Sequence, residues 1–301
     1  MISFVKVSKF ILSDMSIHIQ KGLLTGLIGA SGSGKTTFMK LACGLLEPAQ
    51  GHVYTLRSEP VTNRQKLGRD LGAFFTEIPA LQSEETVIGN YENLKIIHRM
   101  QEGEFQKEYE GLSKRLGFHL FAQEKVKNLS LGQRKRAELG AVLLHRPRVL
   151  LFDEPTNGLD ENAKAVFREI IKERAREGAA IVITSHDMEE ISQMCSRIAL
   201  LEQGQLLFYG DRESIGKQFA PSDVMELKLC GKLPDLEDLP VEKYLLKENR
   251  LTLIYNPNHI TAAEILRLIL SQTVVEEAAI QKPELKDIIT KGVSQLPVSG
   301  K

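Results

Sequence analysis

Cysteine is scarce: 3 in 301 residues. Cys43, Cys195 and Cys230 stand far apart, with neither metal-ligand spacing nor the pattern of a disulfide framework, which excludes a stapled small fold. They read as small buried hydrophobes in a reducing, cytoplasmic compartment. An excess of one charge is missing too. The 39 basic residues balance 39 acidic ones, which argues against a nucleic-acid binder relying on bulk positive charge. No apolar run reaches the roughly 18 residues of a membrane span. The opening MISFVKVSKFILSDMS is cut by Lys6, Lys9 and Asp14 and does not read as a signal peptide. Work at a membrane therefore requires another chain.

What is present is an ordinary globular composition, 42% hydrophobic and 26% charged, in a length that suits one large α/β domain plus a smaller one. Leu23–Ile28, Val149–Phe152 and Ala179–Thr184 read as buried parallel strands, each followed by a turn and a helix-period segment. Thr36–Leu46 places Phe38, Leu41, Ala42 and Leu45 on one helix face. Asp160–Glu177 reads as a second helix, ended by Gly178. Alternating strands and helices predict a parallel sheet covered on both faces. Residues 86 to 146 read as a helical insertion, and IALLEQGQLLFYG as a strand, a turn and a strand.

After about residue 215 the character changes. Pro221, Pro234, Pro240 and Pro257 break the chain. VMELKLC, KENRLTLIYN and VVEEAAIQ read as strands. Thr261 to Glu264 is a capping box opening an apolar helix, Ile265–Leu270, and Pro283 stands where a short final helix would begin. Residues 221–301 thus read as a small α+β extension in which no chemistry is visible.

The chemistry lies upstream. GASGSGKTT satisfies G-x-x-x-x-G-K-[ST] at Gly29, Gly34, Lys35 and Thr36, after an apolar strand and before an amphipathic helix. Glycines let backbone N–H groups converge on one anion, and the helix N-terminus adds partial positive charge. Lys35 should reach β- and γ-phosphates and Thr36 should ligate Mg²⁺. In RVLLFDEPTNGLD an apolar strand ends in two carboxylates. Asp153 suits Mg²⁺, and Glu154 suits orienting or deprotonating a water. In IVITSHD, His186 follows a strand and can sense a γ-phosphate. NLSLGQRKR is a polar turn entering a helix; alone it reads as a cap at Ser130, with Arg134, Lys135 and Arg136 solvated.

In this order, GASGSGKTT, LSLGQ, LLFDEPTNGLD and ITSHD resemble the nucleotide-binding subunit of an ABC transporter, from about Met1 to Gly210. The tail more loosely resembles the C-terminal extension of ATPases serving bacterial ABC-2-type exporters. The resemblance implies an α/β P-loop cassette: a mixed sheet flanked by helices, an antiparallel edge and a helical subdomain at about 86–146. The cassette would end near residue 215.

It further implies ATP held by Gly29, Ala30, Ser31, Gly32, Ser33, Gly34, Lys35, Thr36 and Thr37. Phe10 would stack on adenine; alone, a phenylalanine in VSKF also reads as a core residue on a strand. Glu77, in FFTEIPAL, stands where many members have a γ-phosphate-sensing Gln; a carboxylate can still ligate Mg²⁺, so activity is expected to survive. Ser130, Gly132 and Gln133 would close over the ATP of a second ATP-binding subunit, like or unlike, and Asp160 matches the loop crossing to that subunit. Leu131 replaces a usual glycine and its side chain should point away from the nucleotide. The other partner implied is a separate membrane permease, with this chain on the inner face of the cell membrane and no nucleic acid bound. Export is favoured by the tail.

The alternatives are a non-transport ATPase of the same superfamily, a nucleotide-binding regulator and a small-molecule kinase. There is no coiled coil and no second phosphate loop, as repair, chromosome and ribosome-acting ATPases would require. Glu154 and His186 are both present, unlike in a decayed regulator, and a kinase has no use for LSLGQ.

Overall fold

A computed structural model describes residues 1–219, 222–230, 234–236 and 239–281. The chain divides into two compact units, Met1–Gly210 and Asp211–Lys301.

In the first unit β1 (Ile2–Lys9) and β2 (Leu12–Ile19) form a hairpin, followed by β3 (Leu24–Ile28), α1 (Lys35–Ala42) and β4 (Gln50–Thr55). A short α2 (Arg64–Leu67) leads to β5 (Leu71–Phe75). Then come α3 (Val87–His98), α4 (Glu102–Leu116) and α5 (Leu131–Leu143), without an intervening strand. The unit closes with β6 (Val149–Asp153), α6 (Glu161–Arg176), β7 (Ala180–Thr184), α7 (Met188–Met194), β8 (Arg197–Glu202) and β9 (Gln205–Gly210).

A six-stranded sheet runs β5-β6-β7-β3-β8-β9. Its pairs are parallel except the last, β8 with β9. Strands β3, β6 and β7 are apolar on both faces because both faces are covered. A three-stranded antiparallel sheet, β2-β1-β4, supplies the edge. Its strands alternate buried and exposed residues, as a sheet with one wet face does. The core lies between the sheets around α1, where Phe4 stacks on Phe38 at 4.3 Å.

The helical segment has its own anchors. Tyr91 is fully buried, and its hydroxyl donates to the Ala137 carbonyl at 2.8 Å. An added Cβ at Gly140 would stand 2.4 Å from that hydroxyl, so only glycine fits. Glu108 of α4 accepts from Arg146 and from Arg174 of α6, tying the segment to the sheet-covering helices.

The second unit contains α8 (Arg212–Phe219), β10 (Asp223–Cys230), β11 (Lys243–Lys247), β12 (Arg250–Tyr255), α9 (Ala262–Leu270) and β13 (Val274–Gln281). Its antiparallel sheet has the order β11-β12-β10-β13. Ile265 and Ile269 of α9 are buried with Leu227, Leu251 and Leu253 of the sheet.

Some expectations need correction. The helix expected over Thr36–Leu46 ends at Ala42: Gly44 follows at φ 75, where a Cβ would strike the Pro60 backbone at 2.6 Å, and Leu45 is exposed. KENRLTLIYN is not one strand, because Glu248 at φ 52 turns the chain between β11 and β12. The short helix expected at Pro283 lies outside the described residues. Cysteines are free: Cys195 is buried and Cys43 half-buried, but Cys230 is exposed at the end of β10, not a core residue.

Candidate functional site

The loop after β3 leaves the sheet at Gly29, φ 152, where a Cβ would stand 2.1 Å from the Leu201 carbonyl oxygen. Gly34 at φ 106 is the N-cap of α1, and no side chain caps the helix. The first-turn N–H groups of a helix have no intrahelical partner, so this uncapped end is open to an anion. Lys35 is buried, and its Nζ donates to the carbonyls of Gly29 and Ala30 at 2.9 Å each. Burial lowers the Lys35 pKa; the carboxylates of Glu154, Asp153 and Glu202 act in the opposite direction. Buried Ser33 Oγ has no hydrogen-bond partner among the described residues.

Asp153 ends β6 and reaches both neighbouring elements. Its Oδ2 accepts from Thr36 Oγ1 at 2.8 Å and its Oδ1 from Thr184 Oγ1 at 2.7 Å. Glu154 follows at φ 52, left-handed for a non-glycine residue. Its N–H donates to Thr184 Oγ1 at 2.9 Å. Its Oε2 accepts from Asn157 Nδ2 at 3.1 Å and from the His186 N–H at 3.3 Å. His186 Nε2 stands 3.2 Å from Glu154 Oε1.

Ser31, Gly32, Gly34, Lys35, Thr36, Thr37, Glu77, Asp153, Glu154 and His186 lie in the wall of one cavity of about 410 Å³. Phe10, Gly29, Ala30 and Ser33 do not line it. Phe10 lies in the β1–β2 turn, 76% exposed, and so is not the core residue that a phenylalanine in VSKF suggested. Ile11 beside it does line the cavity. Glu77, in the turn after β5, has Lys40 Nζ at 3.7 Å.

Ser130, Gly132, Gln133 and Asp160 are also absent from the cavity wall. Ser130 is the N-cap of α5. Its Oγ accepts from the Gln133 N–H at 3.3 Å, and Gln133 Oε1 accepts from the Ser130 N–H at 2.9 Å, a complete capping box. Leu131 is 74% exposed, and its Cδ2 is the nearest atom to where a Cβ on Gly158 would lie. Asp160 caps α6 through the Ala163 N–H at 2.8 Å. Of the residues expected to be solvated, Lys135 is 6% exposed, Arg134 pairs with Glu138, and Arg136 lies over the Phe121 ring. The sequence reading missed Thr184, Lys135 and the amide of Asn157. Asn157 sits inside the NGLD stretch, whereas only packing marks the other two.

The ABC transporter family model matches residues 12–157. The ATP-binding protein NatA of Bacillus subtilis (strain 168) is 32% identical over 202 residues, which are 67% of this chain and 82% of that protein. The chain belongs to the ABC transporter ATP-binding proteins. The methionine import ATP-binding protein MetN of Clostridioides difficile (strain 630) is 33% identical over 225 residues, covering 71% of this chain and 70% of MetN. Among solved structures, the dimeric post-hydrolysis state of the ATP-binding cassette MJ0796 bound to ADP and Pi superposes with a TM-score of 0.63 at 26% identity, over 70% of this chain and 98% of that one. The fold is therefore the ABC cassette expected from the motifs. The cassette binds ATP and is an ATPase. No helix among the described residues is long and apolar enough to cross a membrane.

Proposed function

We propose that this ATPase powers an exporter through ATP-driven association of two cassettes. The observation that carries the reading is a division of the motifs. Ser31, Gly32 and Gly34–Thr37 of the phosphate loop meet Asp153, Glu154 and His186 in one cavity, while Ser130, Gly132, Gln133 and Asp160 stand outside it. Half a site thus looks outward, as two chains sharing each ATP require.

In this reading Gly29–Thr37 hold the phosphates and exposed Phe10 stacks on adenine. The hydroxyl of Thr36 and the carboxylate of Asp153, already in hydrogen-bond contact, are hard oxygen donors that fit Mg²⁺, with Glu77 at the same wall; the ion would neutralise phosphate charge. Glu154 takes the proton of the attacking water, and His186 beside it contacts the γ-phosphate. The Ser130–Gln133 turn closes over the ATP of the other chain, and Asp160 crosses with it. A separate membrane permease docks near Glu77 and the start of α3, which places this chain on the inner face of the membrane. Export rests on the likeness of the tail; the cassette itself carries no cargo contact.

Glu154→Gln tests this directly. It should slow turnover at least about 100-fold while leaving ATP bound in a stable dimer. Turnover at the wild-type rate would remove Glu154 from the chemistry. Co-purification of a polytopic membrane protein tests the permease, and substrate movement in reconstituted vesicles tests direction.

A further inference from the structure

Lys135 lies two residues beyond the Ser130–Gln133 capping box, on the inner side of α5. It is 6% exposed, and no carboxylate among the described residues bonds it. Its Nζ donates to the main-chain carbonyl of Glu154 at 3.0 Å and to that of Asn157 at 2.5 Å, and stands 5.5 Å from the centroid of the Phe74 ring. Burial lowers its pKa, with the Glu154 and Glu138 carboxylates acting the other way. A buried ammonium is costly unless its donors are met, and here both acceptors belong to a single turn, the one that carries Glu154.

That turn needs holding. Glu154 is in the left-handed region at φ 52, which non-glycine residues rarely adopt unless the surroundings over-determine it. Its main chain is held on both sides of Cα: the N–H donates to Thr184 Oγ1, and the C=O accepts from Lys135 Nζ. The start of α5 leans on the same turn. A Cβ on Gly132 would stand 3.4 Å from the Gly158 carbonyl oxygen, and one on Gly158 3.5 Å from Leu131 Cδ2. Little free space therefore separates residues 130–135 from 154–158, and Lys135 moves against the turn only by breaking its two hydrogen bonds.

We propose that Lys135 is a positioning residue that ties the orientation of Glu154 to the state of the Ser130 turn. This rests on the reading above, in which Ser130 grips the ATP of a second chain and Glu154 serves the ATP of its own. Lys135 then links two nucleotides through one protein chain. When the turn closes on the partner's ATP, α5 shifts, and the Glu154 peptide is carried with it. A displacement of about 1 Å suffices, because the rate falls steeply when a catalytic group is misplaced. Each chain reports one site to the other, and hydrolysis becomes cooperative in ATP.

The test uses the full chain as Lys135→Met, similar in size but without donors or charge, and as Lys135→Gln, which keeps two N–H donors. Circular dichroism reports folding, a fluorescent ATP analogue the affinity of the isolated chain, light scattering the ATP-driven dimer, and steady-state kinetics turnover and its Hill coefficient. Lys135→Met is expected to keep nucleotide affinity within about twofold and to keep the dimer, while kcat falls about 100-fold and the Hill coefficient drops from about 2 to about 1. Lys135→Gln should fall between, about tenfold below wild type; it carries the measurement should the Met variant not fold. An unchanged kcat and Hill coefficient in these variants overturns the proposal, as does a wild-type Hill coefficient of about 1. A parallel loss of affinity, dimer and turnover also overturns it, since that marks a merely structural lysine. Glu154→Gln run alongside separates the two readings: if it is inactive and Lys135→Met is normal, only the role of Lys135 fails; if it turns over normally, the role of Glu154 itself fails.

Discussion

Two helices of the cassette begin beside a proposed phosphate site, and they begin differently. Helix α1 starts at Gly34, a residue with no side chain to offer, and nothing caps it. Helix α5 starts at Ser130 inside a complete capping box. Both ends carry the same partial positive charge, but only the first has its donors open. A phosphate arriving at α1 displaces water; one arriving at α5 competes with the helix's own side chains. The phosphate loop is thus prepared to hold nucleotide in a single chain. The Ser130 turn is quiet until a partner brings ATP close enough to outbid Gln133. The same electrostatics, capped in one place and bare in the other, can separate binding from association.

The comparison breaks most severely at the open end. Lys35→Ala removes the one buried ammonium of that loop, and should weaken ATP binding about 100- to 1,000-fold; titration of the isolated chain measures this, and a loss below about tenfold would move phosphate recognition elsewhere. Gly29→Ala should cost about 3 kcal/mol of stability, because the new Cβ would meet the Leu201 carbonyl oxygen at 2.1 Å; a thermal melt indistinguishable from wild type would deny the close approach.

The far end of α5 sharpens the contrast, since that helix is held at both ends. Just beyond it His145 stacks on His98 at 3.7 Å and contacts the Leu71 carbonyl oxygen. Burial, and then the neighbouring His98, lower the His145 pKa from 6.5 to about 3. Between those values the unfolded chain takes up a proton that the folded chain refuses, so stability falls as pH drops below 6.5. The loss should reach roughly 2 kcal/mol near pH 4.5 after allowance for partial exposure. Denaturant melts of His145→Gln should show a flatter pH profile over this window; an identical slope would assign the loss to other groups.

The smallest effect is expected at the closed end. Ser130→Ala should cost about 1 kcal/mol through the lost cap and leave the nucleotide affinity of the isolated chain unaltered, while ATP-driven dimerisation weakens. Equal dimerisation by light scattering would show that the hydroxyl is no ligand.

Much of this was legible before folding. Gly29, Lys35, Asp153 and Glu154 could be read because a phosphate loop and a strand-end carboxylate pair are contiguous, and their chemistry is local. Helix α6 could be read from Asp160 to Glu177 because both its caps are in the sequence. Lys135 could not. A lysine between two arginines at a helix start reads as solvated, and only the fold of residues 154–158 beneath it supplies the carbonyls that bury it. Thr184 was hidden likewise, as an unremarkable strand residue until β6 lies beside β7. Leu45 misled in the other direction: its helical spacing was right, but Gly44 ends the register before Leu45 can be buried.

The uneven placement of the thiols has a practical use. Cys195 is buried and Cys43 half-buried, and burial raises the pKa of both, so neither offers much thiolate at neutral pH. Cys230 is exposed in the second unit. A maleimide dye applied to the unaltered protein would therefore settle there first. The ATPase thus carries its own labelling handle in the second unit, through which that unit could be followed by fluorescence during turnover.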